Sequence, residues 1–70
     1  MQEMTFTLSD EYIELTKLLK ATRICMSGGE AGVRVEAGEV RVNGEVESRK
    51  RRKCRPGDRI EIDDTVITVS

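Results

Sequence analysis

The feature that most constrains this sequence is a short, tightly specified hairpin near its middle. Val40, Val42 and Val46 recur with polar residues between them. The dipeptide Asn43-Gly44 lies between the last two of these valines. A period of two is typical of half-buried strands, and Asn-Gly supplies the two positive-φ residues that a type I′ turn requires. The stretch therefore predicts two antiparallel strands joined by a two-residue turn.

The predicted hairpin leads into the strongest charge run of the chain. Between Arg49 and Arg55 there are six basic residues, no acidic residue and one apolar residue, Cys54. The whole chain has a net charge of −1, so this segment carries +6 and the rest of the chain carries −7. A basic cluster on an otherwise acidic domain attracts a polyanion to one face, while the acidic remainder opposes unspecific association. The alternative interpretation is a solvated face that keeps the protein soluble.

The length of 70 residues is enough for one domain with a small core, and we expect a single domain over residues 1–70. Periodic segments and a hydrophobic fraction of 37% indicate a folded chain, although 36% of the residues are charged. The first residues contain neither a basic leader nor an apolar segment, and no apolar run is long enough to span a bilayer. We therefore expect a cytoplasmic protein without a membrane partner.

Cys25 and Cys54 are the only cysteines, and the chain contains no histidine. The two cysteines are far apart in the sequence and lack Cys-x-x-Cys spacing, which argues against a zinc or iron–sulfur site. In a cytoplasmic protein such residues are typical of small buried hydrophobes, with a disulfide as the alternative. We therefore expect no metal and no cofactor.

The first third of the chain predicts a strand followed by a helix. Met4 to Leu8 alternates apolar and polar residues, which is typical of a short strand at the edge of a sheet. From Glu14 to Arg23 the apolar residues fall at helical spacing, although the helix could begin anywhere from Ser9 to Leu15. Lys17 and Lys20 would lie on its exposed side near the C-terminal end, where positive charge suits the helix dipole.

A second helix is predicted by the capping-box form of Ser27 to Glu30, a serine followed three residues later by glutamate. This helix runs to about residue 37 and stops at Gly38. Val33 to Val35 alone could form a strand, so tertiary packing must hold this segment helical. We expect Ala31 and Val35, which are one turn apart, to face the first helix.

After the central hairpin the chain predicts two more strands. Pro56 to Asp58 is typical of a turn, and Arg59 to Ile62 of a strand with its isoleucines pointing inward. Asp63-Asp64 forms a second tight turn into the strand Thr65 to Val69. This order of elements predicts an α+β domain in which two antiparallel helices pack on one side of a small, mainly antiparallel twisted sheet.

The order and spacing of these fragments resemble the S4-type RNA-binding domain, in particular the small free-standing bacterial proteins related to YbcJ and YaaA. The likeness runs from about Glu14 to Ile62. Each matching fragment is weak alone, but together they are fairly specific. The fragments are Leu15 to Lys20, Ser27 to Ala31, Gly38 to Glu47, Arg49 to Lys53 and Pro56 to Ile62.

The resemblance implies an αL-type motif, in which two antiparallel helices and an adjoining hairpin form a positively charged ledge on structured RNA. In that family the start of the second helix and the following strand commonly touch the RNA backbone, which here corresponds to Ser27–Glu30 and Arg41–Asn43. Gly28 and Gly32 stand where many larger members carry arginine and lysine, so the basic run must contribute more of the binding. The candidate RNA-binding residues are Lys17, Lys20, Ser27, Gly28, Gly29, Arg34, Arg41, Asn43, Arg49, Lys50, Arg51, Arg52 and Lys53.

Several of these candidates have a second interpretation. The segment Ser27 to Gly29 would either present backbone N–H groups to a phosphate or act only as a helix cap, because Glu30 would repel a phosphate. Lys17 and Lys20 would otherwise be solvated helix charges. Asn43 is mainly a turn residue, although its side chain could also bond a ribose or a base.

Catalysis is not expected, because the chain lacks histidine, a glycine-rich phosphate loop and the length to form a sizeable pocket. Phe6 and Tyr12 are the only aromatic residues, and both lie outside the basic segment. Proteins that read splayed single strands stack bases on aromatic side chains. The expected target is therefore a folded or double-helical RNA, recognised by shape, phosphate and 2′-OH contacts.

These patterns together predict a small, monomeric, non-enzymatic RNA-binding protein. Family analogy extends the expectation to ribosomal RNA or the ribosome, with a role in ribosome assembly. A hypothesis of a different class is a protein-interaction adaptor that docks its basic segment onto an acidic partner. Binding of duplex DNA is a third hypothesis.

Overall fold

The computed structural model describes residues 2–70, in which two short helices accompany a five-stranded sheet and a two-stranded sheet. The α+β class predicted from the sequence is confirmed. The strands are β1 (Gln2–Phe6), β2 (Ile13–Glu14), β3 (Val40–Val42), β4 (Glu45–Val46), β5 (Lys53–Cys54), β6 (Arg59–Ile62) and β7 (Thr65–Val69), and the helices are α1 (Leu15–Ala21) and α2 (Gly28–Glu36).

The larger sheet has the strand order β1-β7-β6-β3-β4. Its pairs are antiparallel except for β1 and β7, which run parallel, so the prediction of a mainly antiparallel sheet is confirmed. Strand β1 lies at the edge, as predicted, but it begins and ends two residues before the predicted range Met4 to Leu8. The sequence did not predict the smaller sheet, in which β2 pairs antiparallel with β5.

Helix α1 is shorter than predicted because its C-terminal end is closed by local hydrogen bonding. The hydroxyl of Thr22 donates to the carbonyl of Leu18 at 2.9 Å. The next residue, Arg23, has φ of 64°, which is outside the helical region. The buried side of the helix agrees with the predicted spacing for its three leucines, which are fully buried. Of the two further apolar residues that the spacing allowed, Ala21 is exposed and Ile24 packs against the core.

Helix α2 begins with the predicted serine cap, but the glutamate of the predicted capping box bonds Met26, one residue before the N-cap. The N–H of Glu30 donates to Ser27 Oγ at 3.1 Å, and the Glu30 carboxylate accepts the N–H of Met26 at 2.7 Å. Ala31 and Val35 are fully buried in the core that this helix shares with α1. This packing offsets the poor helix propensity of the segment, as expected from the sequence.

The central hairpin has the predicted type of turn, with φ of 54° at Asn43 and 86° at Gly44. Val40 and Val42 are buried, as expected, but Val46 is 57% exposed, so its predicted burial is wrong. The reason is register. A two-residue turn places Val46 opposite the exposed Arg41, and directly opposed residues of a strand pair share one face of the sheet.

The core lies between the two helices and the inner face of the larger sheet. Strands β6 and β7 have the predicted bounds, and their inward isoleucines are fully buried. Cys25 and Cys54 are free and buried, which confirms their interpretation as small hydrophobes. Burial raises the pKa of both thiols, that of Cys54 to about 11. Within residues 2–70, neither helix has the length and apolarity to cross a membrane.

Candidate nucleic-acid interface

The segment from Arg49 to Arg55, which we name the basic loop, is attached to the start of helix α1. The backbone N–H of Leu15 donates to the carbonyl of Arg52 at 2.8 Å, and that of Thr16 donates to the carbonyl of Lys50 at 3.2 Å. Helix α1 has no side-chain cap, so these carbonyls satisfy N–H groups that have no partner inside the helix. The pairing of β2 with β5 extends this attachment along the loop.

Two carboxylates hold Arg52 at the base of the basic loop. Arg52 Nε lies 2.9 Å from Glu47 Oε1, and Arg52 Nη1 lies 3.2 Å from Asp58 Oδ2. Glu47 also accepts hydrogen bonds from Arg49, at 3.1 Å from its Nε and 3.0 Å from its backbone N–H. The Arg52 side chain is only 23% exposed, whereas that of Arg49 is 75% exposed. Arg52 is therefore an anchor of the loop rather than a free surface charge.

These hydrogen bonds also fix the charge state of the two carboxylates. Hydrogen bonds from the Arg49 side chain outweigh burial and lower the pKa of Glu47 to about 2. Burial alone would raise the pKa of Asp58, but three hydrogen bonds lower it overall. Their donors are the backbone N–H of Arg55, the side-chain amide of Asn43 and the guanidinium of Arg52. Both carboxylates are therefore ionised at neutral pH.

The basic loop forms a surface groove of about 440 Å³ whose five lining residues are all basic. They are Arg49, Arg51, Arg52, Lys53 and Arg55. Within residues 2–70, Arg51, Lys53 and Arg55 take part in no ion pair. Cations that converge on one concave surface without a neutralising carboxylate favour an anionic ligand, and guanidinium and ammonium groups bind phosphate oxygens well. This groove is the strongest candidate for a phosphate-binding surface.

Tyr12 lies beside the groove, although the sequence places it well outside the basic segment. Tyr12 directly precedes strand β2, whose Ile13 pairs with Cys54 and whose Glu14 pairs with Lys53. Lys53 Nζ lies 5.0 Å and Arg55 Cζ 5.7 Å from the centre of the Tyr12 ring, which are cation–π distances. Tyr12 is therefore close to the basic loop in the fold, although the two are far apart in the sequence.

Lys50 connects the basic loop to helix α2. A Cβ atom at Gly32 would come within 2.9 Å of Lys50 Cδ, so the absence of a side chain there makes room for the lysine stem. Lys50 Nζ lies 3.7 Å from Glu36 Oε1. Gly32 stands where the family resemblance leads one to expect a lysine, and in this fold a lysine from the basic loop crosses that position instead.

The start of helix α2, which the sequence predicts to contact the RNA backbone, has one feature that favours such a contact and one that opposes it. Gly28 has open space around the position of a side chain, so a ligand could approach the backbone closely. The carboxylate of Glu30, however, lies at the same end of helix α2, where it is bonded to the N–H of Met26. A negative charge at this place opposes a phosphate and stabilises the helix, which favours capping as the main role of Ser27 to Gly29.

Two carboxylates bond the side chain of Arg34. Glu39 follows helix α2, and Asp63 lies in the turn between β6 and β7. Its Nε donates to Glu39 Oε1 at 2.8 Å, and its Nη1 donates to Asp63 Oδ2 at 3.0 Å. These hydrogen bonds, first those that Arg34 donates to Asp63, raise the pKa of Arg34 above its usual range, and they lower the pKa of Asp63. The guanidinium joins helix α2 to the β6–β7 turn, and most of its donors are already used.

We expect Arg34→Gln to lower the free energy of unfolding by about 1 kcal/mol, because the side chain is only partly exposed and its hydrogen bonds are lost. Arg59→Gln is the matched control, since it removes an exposed arginine that forms no ion pair within residues 2–70. It should change stability by less than about 0.5 kcal/mol. Urea denaturation measures both. A loss of RNA affinity in Arg34→Gln with no loss of stability would support the RNA contact predicted from the sequence.

The other predicted residues lie apart from the groove or are bonded within the fold. Lys17 is exposed and pairs with Glu14 at 3.6 Å, and Lys20 is exposed at the end of α1. Arg41 lines a shallow concavity with three carboxylates, those of Glu39, Glu61 and Asp63. The side chain of Asn43 donates to Asp58 at 3.0 Å and accepts the N–H of Arg59 at 3.0 Å, so it stabilises the turn.

The structure thus brings together four of the predicted residues, Arg49, Arg51, Arg52 and Lys53. It adds Arg55 in the groove and Tyr12 beside it. Arg55 belongs to the same charge run and lines the groove, and its place in the run was the signal that identifies it. No sequence pattern identified Tyr12, because the strand that follows it, β2, has only two residues and shows no periodicity. The remaining candidates are not among the residues that line the groove. They lie on α1, at the start and in the middle of α2, on β3 and its turn, and, in the case of Lys50, in the basic loop itself.

Comparison with known proteins assigns this arrangement to a family. A family model described as the S4 domain matches residues 6–70, whereas no curated protein matches the chain. Among solved structures, the chain is similar to that of YbcJ from E. coli, described as revealing a recently discovered αL motif involved in RNA binding. The two are 35% identical over 93% of this chain and 84% of that chain, with a TM-score of 0.71. The chain therefore belongs to the S4 domain family, which confirms the resemblance predicted from the sequence.

Proposed function

We propose that this chain binds structured RNA, with phosphates seated in the groove of the basic loop. The observation that carries the proposal is that all five residues lining the groove are basic. Lysine and arginine form charge-assisted hydrogen bonds with phosphate oxygens, and neutralised phosphates release condensed counterions, which favours binding. Membership of the S4 domain family and similarity to YbcJ support RNA as the polyanion.

Recognition through backbone and shape agrees with how the basic loop is built. Its carbonyls accept hydrogen bonds from helix α1, and Glu47 and Asp58 hold Arg52, so the spacing of the charges is largely set before a ligand arrives. A preorganised surface loses little conformational entropy on binding. Such a surface suits the regular phosphate rows of an A-form helix, which proteins recognise mainly by shape and by phosphate and 2′-OH contacts.

The test is a fluorescence anisotropy titration of the protein against an RNA hairpin over a range of salt concentrations. With about four phosphate contacts, the plot of log K against log[salt] should have a slope near −4. A DNA hairpin of the same sequence and an unstructured single-stranded RNA of the same length serve as competitors. We expect both to compete less well than the RNA hairpin.

Two outcomes would contradict this proposal. Equal competition by the DNA hairpin would favour a general duplex binder, because shape and 2′-OH contacts would then add nothing. Partners that remain bound to the protein after nuclease treatment of a lysate, together with no salt-dependent RNA binding, would favour the adaptor hypothesis.

We further propose that the RNA is ribosomal RNA, or another structured cytoplasmic RNA, and that the protein acts as a monomeric, non-enzymatic factor in ribosome assembly. Analogy within the family supports this narrower statement. Sequencing RNA crosslinked to the protein in cells would test it. Enrichment of ribosomal RNA is the expected result, and enrichment of messenger RNA alone would contradict it.

A further inference from the structure

Tyr12 adjoins the proposed phosphate groove without belonging to its lining. Two of the groove cations, Lys53 and Arg55, lie within 5.0 and 5.7 Å of the ring centre. The tyrosine is 38% exposed, so a ligand on the surface can reach it. The other aromatic residue, Phe6, packs against the hydrophobic core from strand β1. Tyr12 is therefore an aromatic surface in direct contact with the cations that would bind phosphate.

Tyr12 also lines a second concavity, whose charge is mainly negative. This concavity, of about 570 Å³, is lined by Tyr12 together with Asp10, Glu11, Ile13, Glu14 and Lys17. Its carboxylates repel phosphate, which favours the groove of the basic loop over this concavity for an RNA backbone. An uncharged nucleobase is not repelled in this way. Tyr12 therefore adjoins a basic groove that favours phosphate and an acidic concavity that disfavours phosphate but not a base.

We propose that Tyr12 stacks on one unpaired base of an RNA whose neighbouring phosphates lie in the groove of the basic loop. A base is joined to its phosphate through a single sugar, which suits an aromatic ring placed next to phosphate-binding cations. The ligand class is therefore a helical RNA that carries a bulged or flanking unpaired nucleotide, rather than a fully paired duplex. This inference rests on the proposed function and narrows its substrate.

A structural role for Tyr12 predicts a different outcome from stacking. If the ring only positioned Lys53 and Arg55 through cation–π contacts, its removal would weaken binding to every RNA by the same factor. If it stacks on a base, its removal weakens binding only to RNA that offers an unpaired base. The comparison of two RNAs with one protein variant separates these roles.

The experiment uses two RNA hairpins with the same stem, one fully paired and one with a single-nucleotide bulge. We expect the unaltered protein to bind the bulged hairpin roughly 5- to 150-fold more tightly, which is the usual range for one stacked base. Tyr12→Leu should abolish this preference and change affinity for the paired hairpin by less than about fivefold. Tyr12→Phe should retain the preference. Circular dichroism of both variants verifies folding.

A second readout places 2-aminopurine in the bulge. Its fluorescence should be quenched by the unaltered protein and by Tyr12→Phe, but not by Tyr12→Leu. Equal affinity of the unaltered protein for both hairpins, or equal weakening of both by Tyr12→Leu, would overturn the stacking role while leaving RNA binding intact. Binding to neither hairpin would overturn the proposed function, and the stacking role with it.

Discussion

Replacing Arg51, Lys53 and Arg55 together with serine should weaken binding to an RNA hairpin by two to three orders of magnitude. These side chains line the groove and form no ion pair within residues 2–70. Each lost phosphate contact removes roughly 1–1.5 kcal/mol, and each tenfold change in affinity corresponds to about 1.4 kcal/mol. The slope of log K against log[salt] should become shallower by about 3. Anisotropy titrations at several salt concentrations measure both quantities.

The choice of these three residues depends on the structure. The sequence alone does not rank the candidates Arg49 to Lys53, but in the fold Arg52 bonds two carboxylates at the base of the loop. Its replacement would leave those carboxylates without their partner, so a loss of binding could not be separated from a loss of fold. The side chains of Arg51, Lys53 and Arg55 are exposed, and their removal should leave the unfolding transition nearly unchanged.

The matched control is the double replacement of Arg23 and Arg59 with serine, compared with the double replacement of Arg51 and Arg55. Each pair removes the same charge from exposed residues, the first outside the groove and the second inside it. We expect the control to lose less than about tenfold in affinity, because distant charges are largely screened at physiological salt. If both double variants lost affinity equally, net charge rather than the groove would account for binding. If neither lost affinity, the groove would not be the RNA-binding surface.

The elements that the sequence predicted well are those specified by neighbouring residues. Asn43-Gly44 determines its turn through its own backbone preferences, and Ser27 caps the N–H of Glu30 within a single helical turn. The elements that were missed depend on distant partners. The pairing of β2 with β5 joins two residues to two others about 40 positions away, and so short a strand carries no alternation to detect.

In the candidate site, too, some features could be predicted from the sequence and others depend on distant partners. The charge of the basic loop is a property of the sequence, so its importance could be predicted. Arg51 forms no ion pair within residues 2–70, whereas Arg52 is anchored, and this difference depends on where Glu47 and Asp58 lie after folding. The closeness of Tyr12 to Lys53 is likewise a consequence of strand pairing. Composition thus locates the surface, and tertiary contacts decide the role of each residue in it.

Glu47→Gln should lower the free energy of unfolding by about 2–3 kcal/mol at neutral pH, because a carboxylate that is only 11% exposed loses its charge-assisted hydrogen bonds. Glutamine has one acceptor oxygen, and its NH₂ group would face a guanidinium that also only donates. For a domain of this size the melting temperature should fall by roughly 10–20 °C. Glu45→Gln is the control: it makes the same change in charge at an exposed residue and should shift the melting temperature very little.

The effect of Glu47→Gln should depend on pH in a defined direction. The pKa of Glu47 is lowered from 4.5 to about 2, so the folded state holds the proton more weakly than the unfolded state. Its contribution is complete above pH 4.5 and is lost as the pH falls towards 2, where the unfolded state takes up the proton first. The difference in stability between the variant and the unaltered protein should therefore shrink over that range. A difference that stayed constant down to pH 2 would contradict the ion-pair explanation.

The same two variants test whether RNA binding needs an ordered groove. Both add one positive charge relative to the unaltered protein, so attraction to RNA by net charge alone would strengthen equally. Glu47→Gln, however, frees Arg49 and leaves Arg52 held by Asp58 alone, and ordering a freed side chain again on binding costs roughly 0.5–1.5 kcal/mol. We expect Glu47→Gln to bind an RNA hairpin about tenfold more weakly than Glu45→Gln, at a temperature where both are folded. Equal affinity would mean that charge alone, without the arrangement imposed by Glu47, is enough for binding.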